Sequence, residues 1–310
     1  MIILETILPV FILIALGKFL TVKGILTEDG ISCIKNLSVT VLLPVMAFDA
    51  LIHGTFSSDS LILIGLEFFA LFGAFFAGFL FKRCFDSSIS DYIPYAMTTY
   101  EGGLFGWALI SILVGQNNMF YIVSMDIFSG VFGFTVMATG LKMINGEKLT
   151  RKEIILSIVK NPLIIATILG FTGAAFGLGK IIDESAASGL YEKITSFFIA
   201  PLSPLILISI GSGLVFDKEV LKKGLKLVSI RYLVQIVIAL IVFAIIHFTI
   251  GINGVLFFTL AMYFACPTSF LISMYSQKKD AVEFTSALLS LQILVALVVF
   301  CLLSVLQMYQ

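Results

Sequence analysis

Glu101 is the residue in this sequence whose type and position most directly suggest chemistry. It lies about nine residues into the apolar segment 92–115, YIPYAMTTYEGGLFGWALISILVG, and Gly102 and Gly103 follow it. At ~1.5 Å per helical residue its carboxyl group would lie ~14 Å deep, near the middle of a bilayer. A charge is costly there, and paired glycines weaken a helix. The pattern favours a discontinuous helix that lines a solute site; the alternative is a continuous helix that packs closely through small residues.

A second apolar segment, 254–275, is interrupted by Cys266, Pro267, Thr268 and Ser269. A proline removes one backbone donor and clashes with the carbonyl four residues earlier, and the hydroxyl groups that follow can partner the freed backbone. A kinked but unbroken helix is the alternative. If both segments break, their second halves begin near the midplane with N–H groups facing inward, which suits an anionic group such as a carboxylate.

Polar residues beside prolines in two other segments are further candidates. Pro44 lies in NLSVTVLLPVMAFDAL, and Ser203 lies between two prolines in ITSFFIAPLSPLILISIGSGL. A serine that bonds its own helix backbone is the alternative role. The candidate substrate-binding residues are Glu101, Gly102, Gly103, Cys266, Pro267, Thr268, Ser269, Pro44 and Ser203.

Other ionisable residues lie inside apolar segments. Glu67 and Asp126 each lie about seven residues from the outer end of their segment. They could relay protons or simply reach a water-filled crevice, and together with Glu101 they are the proton-coupling candidates. Arg231 lies near the inner end of its segment, where a long side chain can reach the membrane surface, so we predict a structural role for it.

The composition places the chain among membrane proteins. It has 310 residues, of which 59% are hydrophobic and only 12% charged, whereas soluble domains have roughly 25% charged residues. The formal net charge is +0, which gives no indication of nucleic-acid binding. The four cysteines are far apart and suggest neither a metal site nor a disulfide framework. No hydrolase or nucleotide-binding motif is present, so we expect neither an enzyme nor a cofactor.

Apolar runs of roughly 20 residues predict ten membrane spans. The predicted spans are 2–20, 32–52, 60–81, 92–114, 119–141, 157–178, 194–216, 227–248, 254–275 and 284–306. The connections after odd-numbered spans, with the adjoining helix ends, hold 17 of the 19 basic residues. Because basic residues stay in the cytoplasm, this asymmetry predicts that both termini are extracytoplasmic.

The two halves of the chain resemble each other. Pro9 and Gly17 in span 1 have the spacing of Pro162 and Gly170 in span 6, and the interrupted spans 4 and 9 hold matching positions. Five spans per half, an odd number, would give the halves opposite orientations. The sequence therefore predicts a first repeat at 1–143, a cytoplasmic linker at 144–156 and a second, inverted repeat at 157–310.

Four segments, in the right order, resemble signatures of the auxin efflux carrier family, including its bacterial organic-acid carrier branch. They are NLSVTVLLPVMAF, KNPLIIATILGF, APLSPLILISIGSGL and CPTSFLISMYSQKKDAVEFTSALL. The resemblance covers the whole chain. It implies an all-α membrane protein with ten helices in two inverted five-helix repeats, a fold like that of bile-acid/sodium symporters. It also implies that broken helices 4 and 9 cross at the substrate site, that a scaffold moves against a panel of helices, and that organic anions are the usual substrates.

One departure from the family pattern concerns Glu101. The family commonly has asparagine, threonine and glycine in the fourth helix, with a proline about seven residues after the asparagine. The matching positions here are Glu101, Gly102, Gly103 and Ala108. An ionised Glu101 would repel a carboxylate substrate. Either Glu101 binds a proton along with the substrate, or the solute is cationic or neutral.

The sequence thus predicts a secondary transporter of the cell membrane that moves a small organic solute by elevator-like alternating access. A carboxylate anion is the expected solute class, and proton coupling is a further hypothesis. A sodium-coupled symporter of the bile-acid type, and a non-transporting membrane sensor or lipid-binding module on the same fold, are the alternatives. Expected partners are the solute, protons and membrane lipid, with a homodimer left open and no nucleic acid.

The predicted orientation can be tested at position 147 in the linker. A cysteine there should resist a membrane-impermeant thiol reagent in intact cells and react after the cells are opened, because the linker is predicted to be cytoplasmic. Modification of that cysteine from outside in intact cells would contradict the topology.

Overall fold

The computed structural model describes residues 2–54, 58–98, 100–147, 150–214 and 217–308. Thr99 in predicted span 4, residues 148–149 in the predicted linker and residues 215–216 at the end of predicted span 7 lie outside these ranges. Throughout the described ranges the chain is helical, with turns and short extended connections and no strand.

Helix boundaries follow local capping chemistry. The helices are α1 (Ile2–Val22), α2 (Glu28–Ile52), α3 (Ser58–Phe81), α4 (Ile93–Met97), α5 (Trp107–Val114), α6 (Phe120–Ile144), α7 (Arg151–Val159), α8 (Pro162–Ala175), α9 (Leu178–Asp183), α10 (Ser188–Gly213), α11 (Lys218–Thr249), α12 (Gly254–Ala265), α13 (Leu271–Met274) and α14 (Lys279–Gln307). Asn161, Asp217 and Asn253 begin α8, α11 and α12 by accepting hydrogen bonds from backbone N–H groups of the first turn.

Among the described residues, six helices are long and apolar enough to cross a membrane: α2, α3, α6, α10, α11 and α14. The sequence predicts ten spans, and the difference has local causes. α1 extends over the 21 residues Ile2–Val22, and Ile7–Val22 is the part whose side chains the structure describes. The apolar helices Pro162–Ala175 and Gly254–Ala265 are shorter, and predicted span 4 is divided between α4 and α5. The described residues therefore form an all-helical structure with the apolar character of a membrane protein.

Glycine allows close helix contacts at two places where helices pack on each other. α1 packs on α10, where a side chain at Gly17 would collide with the backbone carbonyl of Ile208. α8 packs on α2, where a side chain at Gly170 would meet the Leu51 side chain. Small residues at such contacts let helix backbones approach each other, as is common between membrane helices.

Two helices are interrupted inside the bundle, at the places where the sequence predicts breaks. α4 ends at Met97, the backbone is extended at Thr98, and a π-helical turn, Gly102–Gly106, leads into α5. α12 ends at Ala265, and non-helical residues 266–270 lead into the short α13. Each break leaves backbone carbonyls at the end of the first half-helix without intrahelical partners.

Side chains of α11 bind those carbonyls. Arg231 donates from Nη1 to the carbonyls of Ala96 and Thr98, at 2.9 and 2.8 Å, and from Nη2 to that of Cys266, at 3.4 Å. One turn later, Gln235 Nε2 donates to the Met97 carbonyl at 3.1 Å. A single guanidinium group therefore joins the ends of α4 and α12, and its positive charge lies where the helix dipoles are negative.

The position of Arg231 corrects the sequence interpretation. Its side chain does not extend toward the membrane surface but is fully buried, with 0% of its surface exposed. The reason is energetic: broken backbone within an apolar bundle needs donors, and the guanidinium group supplies several in one plane. Arg231 therefore has a structural role, as predicted, but inside the bundle instead of at the membrane surface.

Arg231→Met should destabilise the protein by ~3 kcal/mol, because several buried carbonyls lose their donor. Arg231→Lys should be intermediate, since it keeps the charge but not the planar fork. The measurement is the midpoint of SDS-induced unfolding of purified protein.

Lys226→Met is the matched control. Lys226 also donates from α11 to a carbonyl, that of Cys84, but at the exposed end of the helix. It should change stability by less than about 0.5 kcal/mol, and equal effects of the three substitutions would contradict the capping role.

Candidate functional site

The two breaks contact each other directly. The Glu101 backbone N–H donates to the Pro267 carbonyl at 2.8 Å, and the Thr268 hydroxyl donates to the Thr98 carbonyl at 2.9 Å. The Thr268 N–H donates in turn to Gln292 Oε1 of α14 at 2.8 Å. Backbone groups freed by one break are thus satisfied by the other, which explains how non-helical chain persists in a buried position.

A cavity of about 430 Å³ reaches this contact from the surface. It runs along α2, from exposed Glu28 and Ser32 to the buried carboxyl groups of Glu101 and Asp126. Its other lining residues are Ile31, Lys35, Asn36, Val39, Leu43, Tyr100, Gly102, Gly103, Ser129, Gly130, Gly133, Leu163, Ser269, Phe270, Leu271 and Ser273. This volume is within the range of small-molecule sites, and a mostly apolar wall with a few polar groups is typical of them.

The Glu101 carboxylate bridges the breaks at the end of the cavity. Its Oε2 accepts a hydrogen bond from the Phe270 backbone N–H at 2.6 Å, while its own backbone N–H binds Pro267. Lys35 lines the same cavity, and its Nζ lies 5.5 Å from the centroid of the Phe270 ring. The site therefore has a backbone donor, a carboxylate and an amine close to one another.

Asp126 lies directly against the π-helical turn. Its carboxylate occupies the space that a side chain at position 102 would need, so only glycine fits at Gly102 without movement. A side chain at Gly103 would meet only the flexible Leu43 side chain, at 3.3 Å. The two glycines thus have different roles, and Gly102 lets a carboxyl group from α6 approach the broken backbone.

Tyr263 connects Asp126 to a more deeply buried acid. The Tyr263 hydroxyl lies 2.9 Å from Glu67 Oε1 and 3.3 Å from Asp126 Oδ1. The Tyr263 ring stacks against Tyr100 with a centroid distance of 4.7 Å, and the Tyr100 hydroxyl donates to Gln235 Oε1 at 2.5 Å. Hydrogen bonds and one tilted ring contact thus connect α3, through Tyr263 and Tyr100, to α11.

The sequence-predicted site residues fall into three groups. Glu101, Gly102, Gly103 and Ser269 line the cavity, as does the proton-coupling candidate Asp126. Cys266, Pro267 and Thr268 form the contact between the breaks and do not line the cavity.

The remaining candidates lie apart from the cavity wall. Pro44 is buried in α2, and the Ser203 hydroxyl lies 3.5 Å from that of Ser111 in α5. Glu67 is 1% exposed and reaches the cavity only through Tyr263 and Asp126. The positions of Pro44, Ser203 and Glu67 in the bundle follow from helix packing, which the sequence pattern within one segment does not encode.

The sequence interpretation missed Lys35, Tyr100, Tyr263 and Phe270. Lys35 was part of the basic count that sets orientation, and aromatic residues are too common in this chain to single out three of them. One signal was available: Arg231 and Gln235 are four residues apart in an apolar helix, so both lie on one face. Two buried donors on one face indicate carbonyl acceptors opposite.

Gly102→Ala should displace the Asp126 carboxylate and destabilise the protein by about 1–2 kcal/mol. Gly130→Ala is the matched control, because Gly130 lines the same cavity but a side chain there meets no atom of the described residues within 4 Å. It should leave SDS-induced unfolding unchanged or slightly delayed. Adding Asp126→Ala to Gly102→Ala removes the clash, so the two effects should be less than additive; strict additivity would contradict the contact.

Comparison with known proteins gives limited but consistent information. No protein-family model matches the chain. An uncharacterized transporter of Methanothermobacter thermautotrophicus (strain ATCC 29096 / DSM 1053 / JCM 10044 / NBRC 100330 / Delta H) is 24% identical over an alignment of 223 residues, and the match covers 68% of this chain and 68% of that protein. This similarity and the apolar, all-helical structure together indicate a multi-pass membrane protein of transporter type.

Proposed function

We propose that the protein is a secondary transporter of the cell membrane that moves a small organic acid by elevator-like alternating access. The observation that carries the proposal is the 430 Å³ cavity, which ends where Glu101 bridges two broken helices. Non-helical backbone beside a cavity at membrane depth is typical of transporter binding sites. The cavity opens beside the start of α2, the end that the basic-residue asymmetry assigns to the cytoplasm, so the structure would be inward-facing.

The pattern of helix packing supports two inverted repeats in the proposed fold. α1 packs on α10 while α8 packs on α2, so the first helix of each predicted half contacts the second helix of the other. Likewise α3 packs on α6 and α11 packs on α14, the third and fifth spans of each half. This reciprocity is what a two-fold relation between the halves would produce.

Glu101 would control the site through its hydrogen bond with Phe270. As a carboxylate it is a strong acceptor and holds the Phe270 N–H, but protonation would weaken this bond. The N–H group could then donate to a solute carboxylate, with Lys35 nearby as the cation. Proton and organic anion would bind together, which resolves the repulsion expected between an ionised Glu101 and an anionic solute.

A cationic solute is the second candidate, and a specific observation favours it. The inner end of the cavity has two carboxyl groups, those of Glu101 and Asp126, beside the aromatic residues Tyr100 and Phe270. Carboxylates and aromatic faces are the groups that bind organic amines. The two solute classes make opposite predictions for removal of the Glu101 charge.

The Arg231 contacts bear on the sodium-coupled alternative. In transporters with broken helices, carbonyls at half-helix ends commonly coordinate sodium. Here the Arg231 guanidinium binds such carbonyls of both breaks, so the protein carries a fixed cation at that place. This supports transport that does not depend on sodium. The test is to replace sodium with choline in the flux measurement.

The test is a binding and flux screen of carboxylates and amines, with purified protein and proteoliposomes, at two pH values. If one proton binds with each anion, the apparent affinity for a carboxylate should fall by about tenfold per pH unit over the range in which Glu101 ionises. Glu101→Gln, which mimics the protonated acid, should bind the carboxylate with little pH dependence. Glu28→Gln is the control, since Glu28 lines the exposed mouth of the same cavity.

The outcomes separate the alternatives. An unchanged rate and pH profile in Glu101→Gln would assign the carboxyl group a structural role only. Loss of amine binding in that variant would favour the cationic solute. Binding without flux in proteoliposomes would favour a membrane sensor or lipid-binding module, and sodium-dependent flux would favour the bile-acid type of symporter.

A further inference from the structure

We propose that Glu67, Tyr263 and Asp126 form a proton-binding site in which two carboxyl groups share one proton through the tyrosine hydroxyl. The three side chains come from three helices, α3, α12 and α6. Glu67 and Tyr263 are almost completely buried, at 1% and 0% exposure, and Asp126 borders the cavity at 9%. The site would bind a proton whether or not the protein transports a solute; its use in coupling rests on the proposed function.

Hydrogen-bond counting at the Tyr263 hydroxyl favours an extra proton. Ser129 also lies within hydrogen-bond reach of this hydroxyl, and Asp126 accepts a further bond from the Gly103 backbone. The Tyr263 hydroxyl has one hydrogen, yet its oxygen is within hydrogen-bond distance of Glu67, at 2.9 Å, and of Asp126, at 3.3 Å. An ionised carboxylate can only accept. With both acids ionised, one contact would place two oxygen lone pairs against each other in a buried site. With one acid protonated, the hydroxyl donates to one carboxyl group and accepts from the other.

The second oxygen of Glu67 gives independent support. Within the described part of the structure, Glu67 Oε2 is buried and has no hydrogen-bond partner. In an apolar bundle, a carboxylate with one oxygen that accepts no hydrogen bond has a much higher free energy than the neutral acid. The geometry therefore favours a proton on this pair, and repulsion between two nearby carboxylates has the same effect.

Within the described ranges of the chain, no lysine or arginine forms an ion pair with Glu67 or Asp126. Glu101 adds a further negative charge next to Asp126. The Arg231 guanidinium, 5.8 Å from the Tyr100 ring, is directed to the backbone carbonyls of the breaks. The other titratable or charged groups that face the site are Tyr100, Cys266 and, beyond Glu101, Lys35.

The arrangement can also move the proton. If Glu67 passes its proton to the Tyr263 oxygen while the tyrosine hydrogen passes to Asp126, one proton is transferred from the buried acid to the cavity wall. Asp126 can then release it to water in the cavity. After release, one hydroxyl hydrogen can satisfy only one carboxylate, so the other contact must open. Proton loss would thus loosen the contacts of α12, the first half of a broken helix, with α3 or α6.

Infrared difference spectroscopy on the full-length protein in nanodiscs tests the shared proton. All proteins carry Glu101→Gln, so that Glu101 contributes no carboxyl signal. At neutral pH the protein should show a protonated-carboxyl stretch. It should disappear in Glu67→Gln, because Asp126 at the cavity wall can ionise and accept from Tyr263. In Asp126→Asn the band should remain but shift, because the buried Glu67 keeps the proton and loses its carboxylate partner. Tyr263→Phe should shift the band. The control is Tyr191→Phe, which removes a similar tyrosine–carboxylate bond, to Asp49 at 2.9 Å, far from the site.

The results test the shared proton, the transport function and proton coupling separately. Absence of the band in the parent protein, persistence in Glu67→Gln, or an unshifted band in Asp126→Asn would overturn the shared proton. A band that behaves as expected in a protein that moves no solute would keep the proton site and reject the transport function. Solute flux without proton movement in proteoliposomes, with the expected band, would reject only its use in coupling.

Discussion

The structure depends on one constraint: backbone polar groups exposed by a broken helix must find partners inside an apolar bundle. Hydrocarbon offers no hydrogen bonds, so each unsatisfied carbonyl or N–H group would cost free energy on the scale of the whole fold's stability. The chain meets this constraint by placing its two breaks against each other. The bond from the Glu101 N–H to the Pro267 carbonyl, and that from Thr268 to the Thr98 carbonyl, make each break the partner of the other.

Charged side chains complete the arrangement on opposite sides of the crossing. Arg231 donates hydrogen bonds to carbonyl groups at the ends of α4 and α12, and the Glu101 carboxylate accepts one from the N–H group of Phe270. The two roles differ in accessibility. Arg231 is sealed from solvent, whereas Glu101 borders a cavity that reaches the surface. A fixed cation suits a permanent structural function, and an accessible acid suits a group that exchanges its partner during transport.

Two further acids, Asp126 and Glu67, continue the polar contacts of the breaks into the bundle. Asp126 approaches the broken backbone because Gly102 lacks a side chain, and Tyr263 then links it to Glu67. Ionisable groups at membrane depth are expensive and are usually functional. Here they form a connected path from a buried position to a solvent-accessible cavity, which a purely structural arrangement of acids would not need.

The sequence by itself determined the class of protein, the all-helical architecture and the places of the two breaks. Low charge content and long apolar runs are local properties, and so is the helix-breaking effect of Gly102–Gly103 and Pro267. Tertiary structure decided which polar groups meet. Position along the chain gave Arg231 a depth but not a direction, and only packing shows that it turns inward to carbonyls about 135 residues earlier. The link between Glu67 and Asp126 likewise requires three helices at fixed distances, and no spacing within one segment encodes that.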